Sequence, residues 1–150
     1  MKLSNLIEKT YRWAQKRSLW VLHYNTGGCN GCDIEILDLL TPRYDIERLG
    51  IVVKASPRHA DVLLCTGPVT LQAQDGLWQI YAQMPSPKWV VAVGSCSTTG
   101  AVFYGSDTVL GGVDHKLPVD LYIPGCPVRP EGIIKGLLQL QERITDDINV

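Results

Sequence analysis

Apolar and polar positions follow one another along the chain in a pattern typical of strands alternating with helices. Short unbroken apolar runs, such as those within ADVLLCTG and KWVVAVG, suit strands that are covered on both faces. These runs predict five strands, at residues 19–24, around 51–54, within 60–67, at 88–94 and at 119–125. Helical patterns are predicted at residues 33–40, at 71–84 and from Pro130 through EGIIKGLLQLQERI.

This alternation predicts the α/β fold class, in the form of a flavodoxin-like open parallel sheet with helices on both faces. Residues 19–150 are expected to form a single α/β domain, long enough to bury a sizeable core. Apolar residues at helical spacing among lysines and arginines predict an amphipathic helix over residues 3–17. The N-terminal segment 1–18 either packs on its own domain or docks on a partner subunit.

Composition and charge narrow the function classes. The chain is 45% hydrophobic and 19% charged, which is ordinary for a globular protein. Its net charge of −1 gives no basis for a nucleic-acid partner. No apolar run reaches the ~18–20 residues that cross a bilayer, and the N-terminus lacks the apolar core of a secretory signal. We therefore expect an intracellular chain, whose membrane association, if any, comes through partners.

The five cysteines carry the candidate chemistry, because an odd number in an intracellular chain points to metal or redox sites rather than disulfides. Four lie in the glycine-containing stretches GGCNGC, GSCSTTG and GCPVRPE: Cys29, Cys32, Cys96 and Cys126. These stretches follow predicted strands, and the carboxyl ends of parallel strands share one edge of the sheet. We therefore expect the four thiols to converge. Cys65, inside VLLCTG, is expected to be a buried core thiol.

Three kinds of site remain open from these residues. A redox pair of Cys29 and Cys32 would leave Cys96 and Cys126 without a role. Structural zinc takes four thiolates, but zinc sites usually combine two C-x₂-C pairs, whereas two of these cysteines come singly. A [4Fe–4S] cluster uses all four thiolates. The adjacent glycines would let the backbone approach its bulky core, so the residues favour the cluster.

Several stretches in one order resemble a known family: CNGCDIEI, LTPRYDIERLG, SPRHADVLLCTGPVT, AVGSCSTTGAVF and PGCPVRPE. They resemble the small-subunit family of [NiFe] hydrogenases and its relative in respiratory complex I. The resemblance is to the short small subunits of membrane-bound, energy-converting hydrogenases of the Ech and formate hydrogenlyase types. It implies one proximal [4Fe–4S] cluster on Cys29, Cys32, Cys96 and Cys126. The complex I relative typically has adjacent cysteines at the first motif, so the C-x₂-C spacing favours the hydrogenase branch.

The resemblance also implies a function. The chain would be an electron relay without catalytic residues of its own, and residues 19–150 would be an iron–sulfur domain. It would pass electrons between a large subunit with a nickel–iron site and a ferredoxin-like subunit, coupled to 2H⁺ + 2e⁻ ⇌ H₂. Membrane subunits would hold it peripherally on the cytoplasmic side of the cell membrane. The alternatives are a complex-I-like subunit serving a quinone or other acceptor, and a structural zinc-binding scaffold module.

Polar residues near the four cysteines are candidates for hydrogen bonds to cluster sulfurs or for tuning the cluster charge. They are Thr26, Asn30, Ser95, Ser97 and Arg129. Ordinary capping of the loops is the alternative role for the first four. Asp33 follows Cys32, but acidic residues are favoured in the first turn of any helix. His23 is expected to be a satisfied core residue rather than a ligand.

Overall fold

The computed structural model describes Ile7, Thr10, Trp13, Ala14 and residues 17–146. The predicted N-terminal helix over residues 3–17 therefore falls only partly within it. The five described residues of that stretch are helical, and the remainder lies outside the described residues. None of the described helices combines the length and apolar character needed to cross a bilayer.

Seven strands are described: β1 Leu19–Asn25, β2 Ile51–Val53, β3 Val62–Thr66, β4 Val69–Thr70, β5 Trp89–Val93, β6 Val109–Gly111 and β7 Leu121–Ile123. Five of them form one sheet in the order β2-β1-β3-β5-β7, and every neighbouring pair is parallel. Among these five strands alone the order is 2-1-3-4-5, which is that of flavodoxin-like folds. The predicted fold class is confirmed.

Within residues 18–146, four α-helices accompany the strands: α1 Gly31–Asp38, α2 Gln74–Gln83, α3 Ser95–Thr99 and α4 Pro130–Asp146. Short 3₁₀ segments occupy Ile46–Leu49, Pro57–His59, Ala101–Phe103 and Val113–His115. Helices α1 and α4 pack on one face of the sheet, through side chains such as Ile36 and Leu137. Helix α2 packs on the other face through Leu77. Helices therefore cover both faces, as predicted.

The element boundaries differ from the sequence-based expectation at the ends. The helix predicted at 33–40 starts at Gly31, directly after Asn30 adopts a left-handed conformation with φ 65°. The helix predicted at 71–84 starts at Gln74, because the N–H of Leu71 is bonded to the Thr108 carbonyl. Strands β4 and β6 form a small antiparallel sheet that the sequence did not predict. Two and three residues are too few for a recognisable apolar period.

Strand β3 lies at the centre of the sheet, and all five of its residues are buried. Its neighbours β1 and β5 run parallel to it, so all three strands end at the same edge of the sheet. Beyond β5, strand β7 adds a fourth exit at that edge. The edge is therefore built from connections that are distant in sequence, which is where ligands bind in folds of this kind.

Candidate metal centre

The four predicted ligand cysteines follow the carboxyl ends of sheet strands. Cys29 and Cys32 follow β1, and Cys32 lies in the first turn of α1. Cys96 follows β5 and belongs to α3, while Cys126 follows β7. Cys29 and Cys126 are exposed, and Cys32 and Cys96 are partly buried. All four are free thiols at one edge of the sheet, as the strand pattern predicts.

Electrostatic interactions connect the four thiols. Burial raises the pKa of Cys32, and a hydrogen bond with the Val128 backbone partly lowers it. The thiols of Cys29 and Cys126 raise the pKa further. Burial also raises the pKa of Cys96, and each of the other three thiols adds to the effect. Since every added thiolate makes the next one more costly, the group would be stabilised as anions by a cationic centre.

Glycines allow the backbone to lie against these thiols. Gly94 has φ +95°, and a Cβ atom there would lie only 2.7 Å from the Sγ of Cys32. A Cβ atom on Gly31 would lie 3.5 Å from the Sγ of Cys29 and 3.6 Å from the Cβ of Pro127. The loops from β1, β5 and β7 therefore meet without intervening side chains. Four thiols in such a cradle fit the thiolate ligation of an iron–sulfur cluster.

Backbone hydrogen bonds tie the Cys96 loop to the Cys126 loop. The N–H of Gly94 donates to the Ile123 carbonyl at 2.8 Å, and the N–H of Ser95 donates to the Gly125 carbonyl at 2.8 Å. The hydroxyl of Ser95 donates to the same Gly125 carbonyl at 3.1 Å. These bonds extend the β5–β7 pairing past the end of the sheet, so the two single cysteines are held in a defined relation.

The predicted hydrogen-bonding residues around the site are engaged with the loops. Thr26 is buried, and its hydroxyl lies within hydrogen-bond distance of the Thr66 carbonyl at 2.9 Å and the Gly67 carbonyl at 2.8 Å. The hydroxyl of Ser97 donates to the Gly94 carbonyl at 2.9 Å. Asn30 accepts a side-chain bond from Asn25 at 3.1 Å. These contacts match the loop-capping alternative, and a direct role toward a cluster stays a prediction.

Arg129 and Cys65 occupy contrasting places. Arg129 is exposed just before α4. The pKa of Glu131 is lowered mainly by its own backbone N–H and by the Tyr44 hydroxyl, and the charge of Arg129 adds a smaller lowering. Its predicted influence on a cluster charge stays a prediction. Cys65 is fully buried in β3, and burial raises its pKa to about 12. The expectation of a core thiol is confirmed for Cys65.

No set of three or more His, Cys, Asp or Glu side chains is arranged, within the described residues, to hold a single metal ion.

Sequence reasoning missed a polar group beside the cysteines. The carboxylate of Asp33 bonds to side chains at the ends of β1 and β3. His23, which was expected to be a satisfied core residue, takes part and is 24% exposed. The available signal was Asn25, two residues before Gly27, because an asparagine side chain commonly accepts a hydrogen bond from the backbone N–H two residues later in the chain.

A family model described as NADH ubiquinone oxidoreductase, 20 Kd subunit, matches residues 29–140, which include all four edge cysteines. The chain belongs to this family. Members of the family are subunits of oxidoreductase complexes, so this chain is an oxidoreductase subunit. The resemblance to hydrogenase small subunits and to their complex I relative is thereby confirmed.

Individual relatives come from both branches of the family. The probable membrane-bound hydrogenase subunit mbhJ of Pyrococcus furiosus is 52% identical over 128 residues, 85% of this chain and 77% of that protein. The NAD(P)H-quinone oxidoreductase subunit K of Synechococcus elongatus is 45% identical over 142 residues, 94% of this chain and 59% of that protein. Substantial identity therefore extends to proteins with different named activities.

A solved structure gives the same picture of the fold. The membrane-bound sulfane sulfur reductase, an archaeal respiratory membrane complex, contains a chain that is 39% identical to this one. The two superpose with a TM-score of 0.81 over 93% of this chain and 77% of the other. The α/β architecture is thus shared with a component of a membrane complex.

Proposed function

We propose that this chain is the electron-transfer small subunit of a membrane-bound [NiFe] hydrogenase and holds one proximal [4Fe–4S] cluster. The ligands would be Cys29, Cys32, Cys96 and Cys126. The proposal is supported by the position of these four cysteines, on three separate loops at one edge of the sheet, where their thiols interact electrostatically. Membership in a family of oxidoreductase subunits supports it.

When bound, the cluster supplies one-electron transfer at a potential that its surroundings set. The chain's own residues would bind it through thiolates, with the backbone of Gly31 and Gly94 close to the sulfurs of Cys29 and Cys32. They also exclude water from the inner side of the site. Cys32 packs against the buried core beside α1 and α4, and the side chain of Val128 is only 4% exposed. A dry inner wall strengthens every charge interaction at the site.

The hydrogenase branch is favoured by the first cysteine motif. Two residues, Asn30 and Gly31, separate Cys29 from Cys32, as the resemblance to hydrogenase small subunits implies. The 52% identity to a named hydrogenase subunit supports the same branch. In that case a nickel–iron site on a partner large subunit would carry out 2H⁺ + 2e⁻ ⇌ H₂. A ferredoxin-like iron–sulfur subunit would be the other electron partner.

A complex-I-like subunit with the same single cluster is the second candidate. It is favoured by the 45% identity over 94% of this chain to a quinone oxidoreductase subunit. The fold shared with a sulfane sulfur reductase component points in a similar direction, since that complex is named for another acceptor. The cysteine edge described above serves either acceptor, because the acceptor chemistry would reside on partner chains.

An exposed apolar stripe beside the cysteines supports docking to the large subunit. On α1, Ile34 is 64% exposed and Leu37 is 63% exposed, one helical turn apart. In the segment that follows α3 along the chain, Val102 is 86% exposed. Large exposed apolar side chains are unfavourable in water, and a patch of them commonly marks a protein–protein interface. Membrane subunits would hold the assembly, with this chain peripheral on the cytoplasmic side.

The decisive experiment is metal and activity analysis of the purified complex that contains this chain. About four irons and four acid-labile sulfides in this subunit, with H₂ evolution from reduced carriers, are expected. Zinc without sulfide would overturn the cluster in favour of a structural zinc scaffold. Iron and sulfide together with quinone reduction but no hydrogen chemistry would move the assignment to the complex-I-like candidate. Footprinting of Ile34 in the same complex should show protection, and full accessibility would refute the docking surface.

A further inference from the structure

A polar network lies where β1 and β3 end, next to the loop that carries Cys29 and Cys32. Its centre is the carboxylate of Asp33, in the first turn of α1. Thr66, the last residue of β3, donates its hydroxyl to Asp33 Oδ1. The ring Nε2 of His23 lies 3.0 Å from the same Oδ1 and 3.0 Å from the Thr66 hydroxyl oxygen. The amide of Asn25, the last residue of β1, donates to Asp33 Oδ2.

Asn25 connects this carboxylate to the backbone on the other side of the loop. Its Oδ1 accepts the N–H groups of Gly27 and Gly28, each at 2.7 Å. Its Nδ2 also donates to the side-chain oxygen of Asn30 at 3.1 Å. The Asn25 side chain is therefore bonded to the backbone before Cys29, to Asn30 between the two cysteines, and to Asp33 after Cys32. The segment that presents both thiols is closed on itself by these bonds.

Ordinary capping of α1 does not account for the arrangement. A first-turn acid stabilises a helix through the free N–H groups and the helix dipole. Here the carboxylate of Asp33 instead bonds to the ends of two strands, and it is only 15% exposed. Asn25 and Thr66 are paired in the β1–β3 register, so the sheet itself places the two donors side by side. The sheet thus holds the carboxylate in a fixed position directly after Cys32.

A fixed negative charge at this position acts on the thiol beside it. Asp33 directly follows Cys32 in the first turn of α1, and its carboxylate is held there by its bonds to Asn25 and Thr66. A negative charge close to a cluster disfavours an added electron on its iron. Net charge and hydrogen bonding around a cluster are among the factors that set its reduction potential. The bonded carboxylate can therefore influence both the loop geometry and the potential.

We propose that Asp33 is a positioning residue whose carboxylate, held by Asn25, Thr66 and His23, fixes the Cys29–Cys32 loop and lowers the reduction potential of the cluster. The inference rests on the proposed function, because it requires a cluster on these thiols. It adds a role for four residues that are not ligands. Groups that orient metal ligands commonly affect both metal retention and electronic properties.

The test compares Asp33→Asn with Asp38→Asn in the purified complex. Both changes remove one carboxylate from α1 with little change of shape, but Asp38 is exposed at the far end of the helix. The measurements are iron and sulfide content, the EPR spectrum of the reduced cluster, and its midpoint potential by EPR-monitored redox titration. Asp33→Asn is expected to shift the midpoint to a more positive value, while Asp38→Asn leaves it at the wild-type value.

The outcomes separate this inference from the proposed function. Loss of iron from an assembled Asp33→Asn subunit, with Asp38→Asn fully loaded, would support the positioning role. A loaded Asp33→Asn subunit with the midpoint of Asp38→Asn would overturn it while leaving the proposed function intact. A wild-type subunit without iron and sulfide would instead refute the proposed function.

A second variant covers the case in which Asp33→Asn does not assemble. Asn25→Ala keeps the Asp33 charge but removes the bonds to Gly27, Gly28 and Asn30 along with the bond to the carboxylate. It is expected to lower the iron content or to change the EPR line shape. A wild-type iron content together with an unchanged spectrum and midpoint would contradict the inference.

Discussion

The interior of the central sheet and its carboxyl edge both contain cysteine but surround it differently. In the interior, Cys65 is fully buried in β3 among apolar side chains, where burial raises its pKa to about 12. At the edge, four thiols are exposed or partly buried, next to glycines and to one another. A thiol in the interior only packs against the core, whereas the thiols at the edge are candidate metal ligands. Position relative to the strand ends decides which.

The distance along the chain between the two regions is small. Cys65 is followed by Thr66, whose hydroxyl already belongs to the polar network at the edge. Successive residues of a strand point to opposite faces, so Cys65 contributes to the core under α2 while Thr66 faces the side of α1. Two consecutive residues of one strand therefore have different surroundings. Substitutions can test the interior and the edge separately.

Replacing cysteines should give the largest contrast. Cys96→Ser is expected to abolish the cluster and electron transfer, because one of four thiolates is lost. Cys65→Ser makes the same chemical change in the core. It is expected to keep the cluster, at a stability cost of ~1–3 kcal/mol for a buried hydroxyl without a partner. Iron and sulfide content of the two purified complexes is the measurement. Cluster loss in Cys65→Ser with retention in Cys96→Ser would reverse the ligand assignment.

Thiol labelling should show the next largest difference, in a complex from which iron has been removed by a chelator under reducing conditions. With a pKa of about 12, Cys65 has roughly a thousandfold less thiolate at pH 8 than an ordinary thiol, and burial limits access further. Cys29 is exposed and should react with iodoacetamide first. Because the raised pKa keeps most of the Cys65 thiol protonated, its labelling rate in the folded chain should rise about tenfold per pH unit and level off only as the pH approaches 12.

Mass spectrometry of the alkylated peptides gives both rates in one sample. Unfolding the same sample in denaturant is the control, since it should bring Cys65 to the rate of an ordinary thiol. Equal labelling of Cys65 and Cys29 at pH 8 before unfolding would contradict the contrast between interior and edge.

A pair of glycine substitutions should give a smaller effect. Gly94 and Gly105 both have positive φ, +95° and +85°, so alanine at either site should cost about 1–3 kcal/mol of backbone strain. Only at Gly94 would the new Cβ meet a cysteine, 2.7 Å from Cys32 Sγ, whereas nothing lies within 4 Å at Gly105. Gly94→Ala is therefore expected to reduce iron content, and Gly105→Ala is expected to preserve it.

Thermal unfolding and iron analysis of both complexes separate the two effects. A loss of stability in both variants would confirm backbone strain at both positive-φ sites. Equal iron content in the two variants would show that close approach of Gly94 to Cys32 is unimportant for the site.

The comparison also shows what could be predicted from sequence. Apolar runs such as VLLCT identify the interior, because a strand covered on both faces admits almost no polar residue. The edge could be predicted in outline, since the cysteines follow these runs and parallel strands end together. The α/β fold and the buried state of Cys65 followed correctly. The identity of the bound group stays a prediction, because a thiol site does not itself specify iron or zinc.

The side-chain contacts at the edge could not be predicted from the sequence, because they depend on segments that are distant along the chain. The Asp33 network depends on the pairing of Asn25 with Thr66, and the register of two strands 41 residues apart is not encoded locally. The small β4–β6 sheet likewise joins segments that are distant in sequence. The start of α1 at Gly31 depends on a left-handed Asn30, which few local patterns predict.

The order of the strands has a consequence for biosynthesis. Cys29 follows the first strand of the sheet and Cys126 follows the last, with β3 and β5 between β1 and β7. A growing polypeptide that has passed Cys96 but has not reached β7 can offer three of the four thiols. A cluster on all four thiols would therefore be completed only after Cys126 has emerged. A bound cluster would then cross-link the loop after β1 to the loop after β7. Such a cross-link would stabilise the folded domain against unfolding.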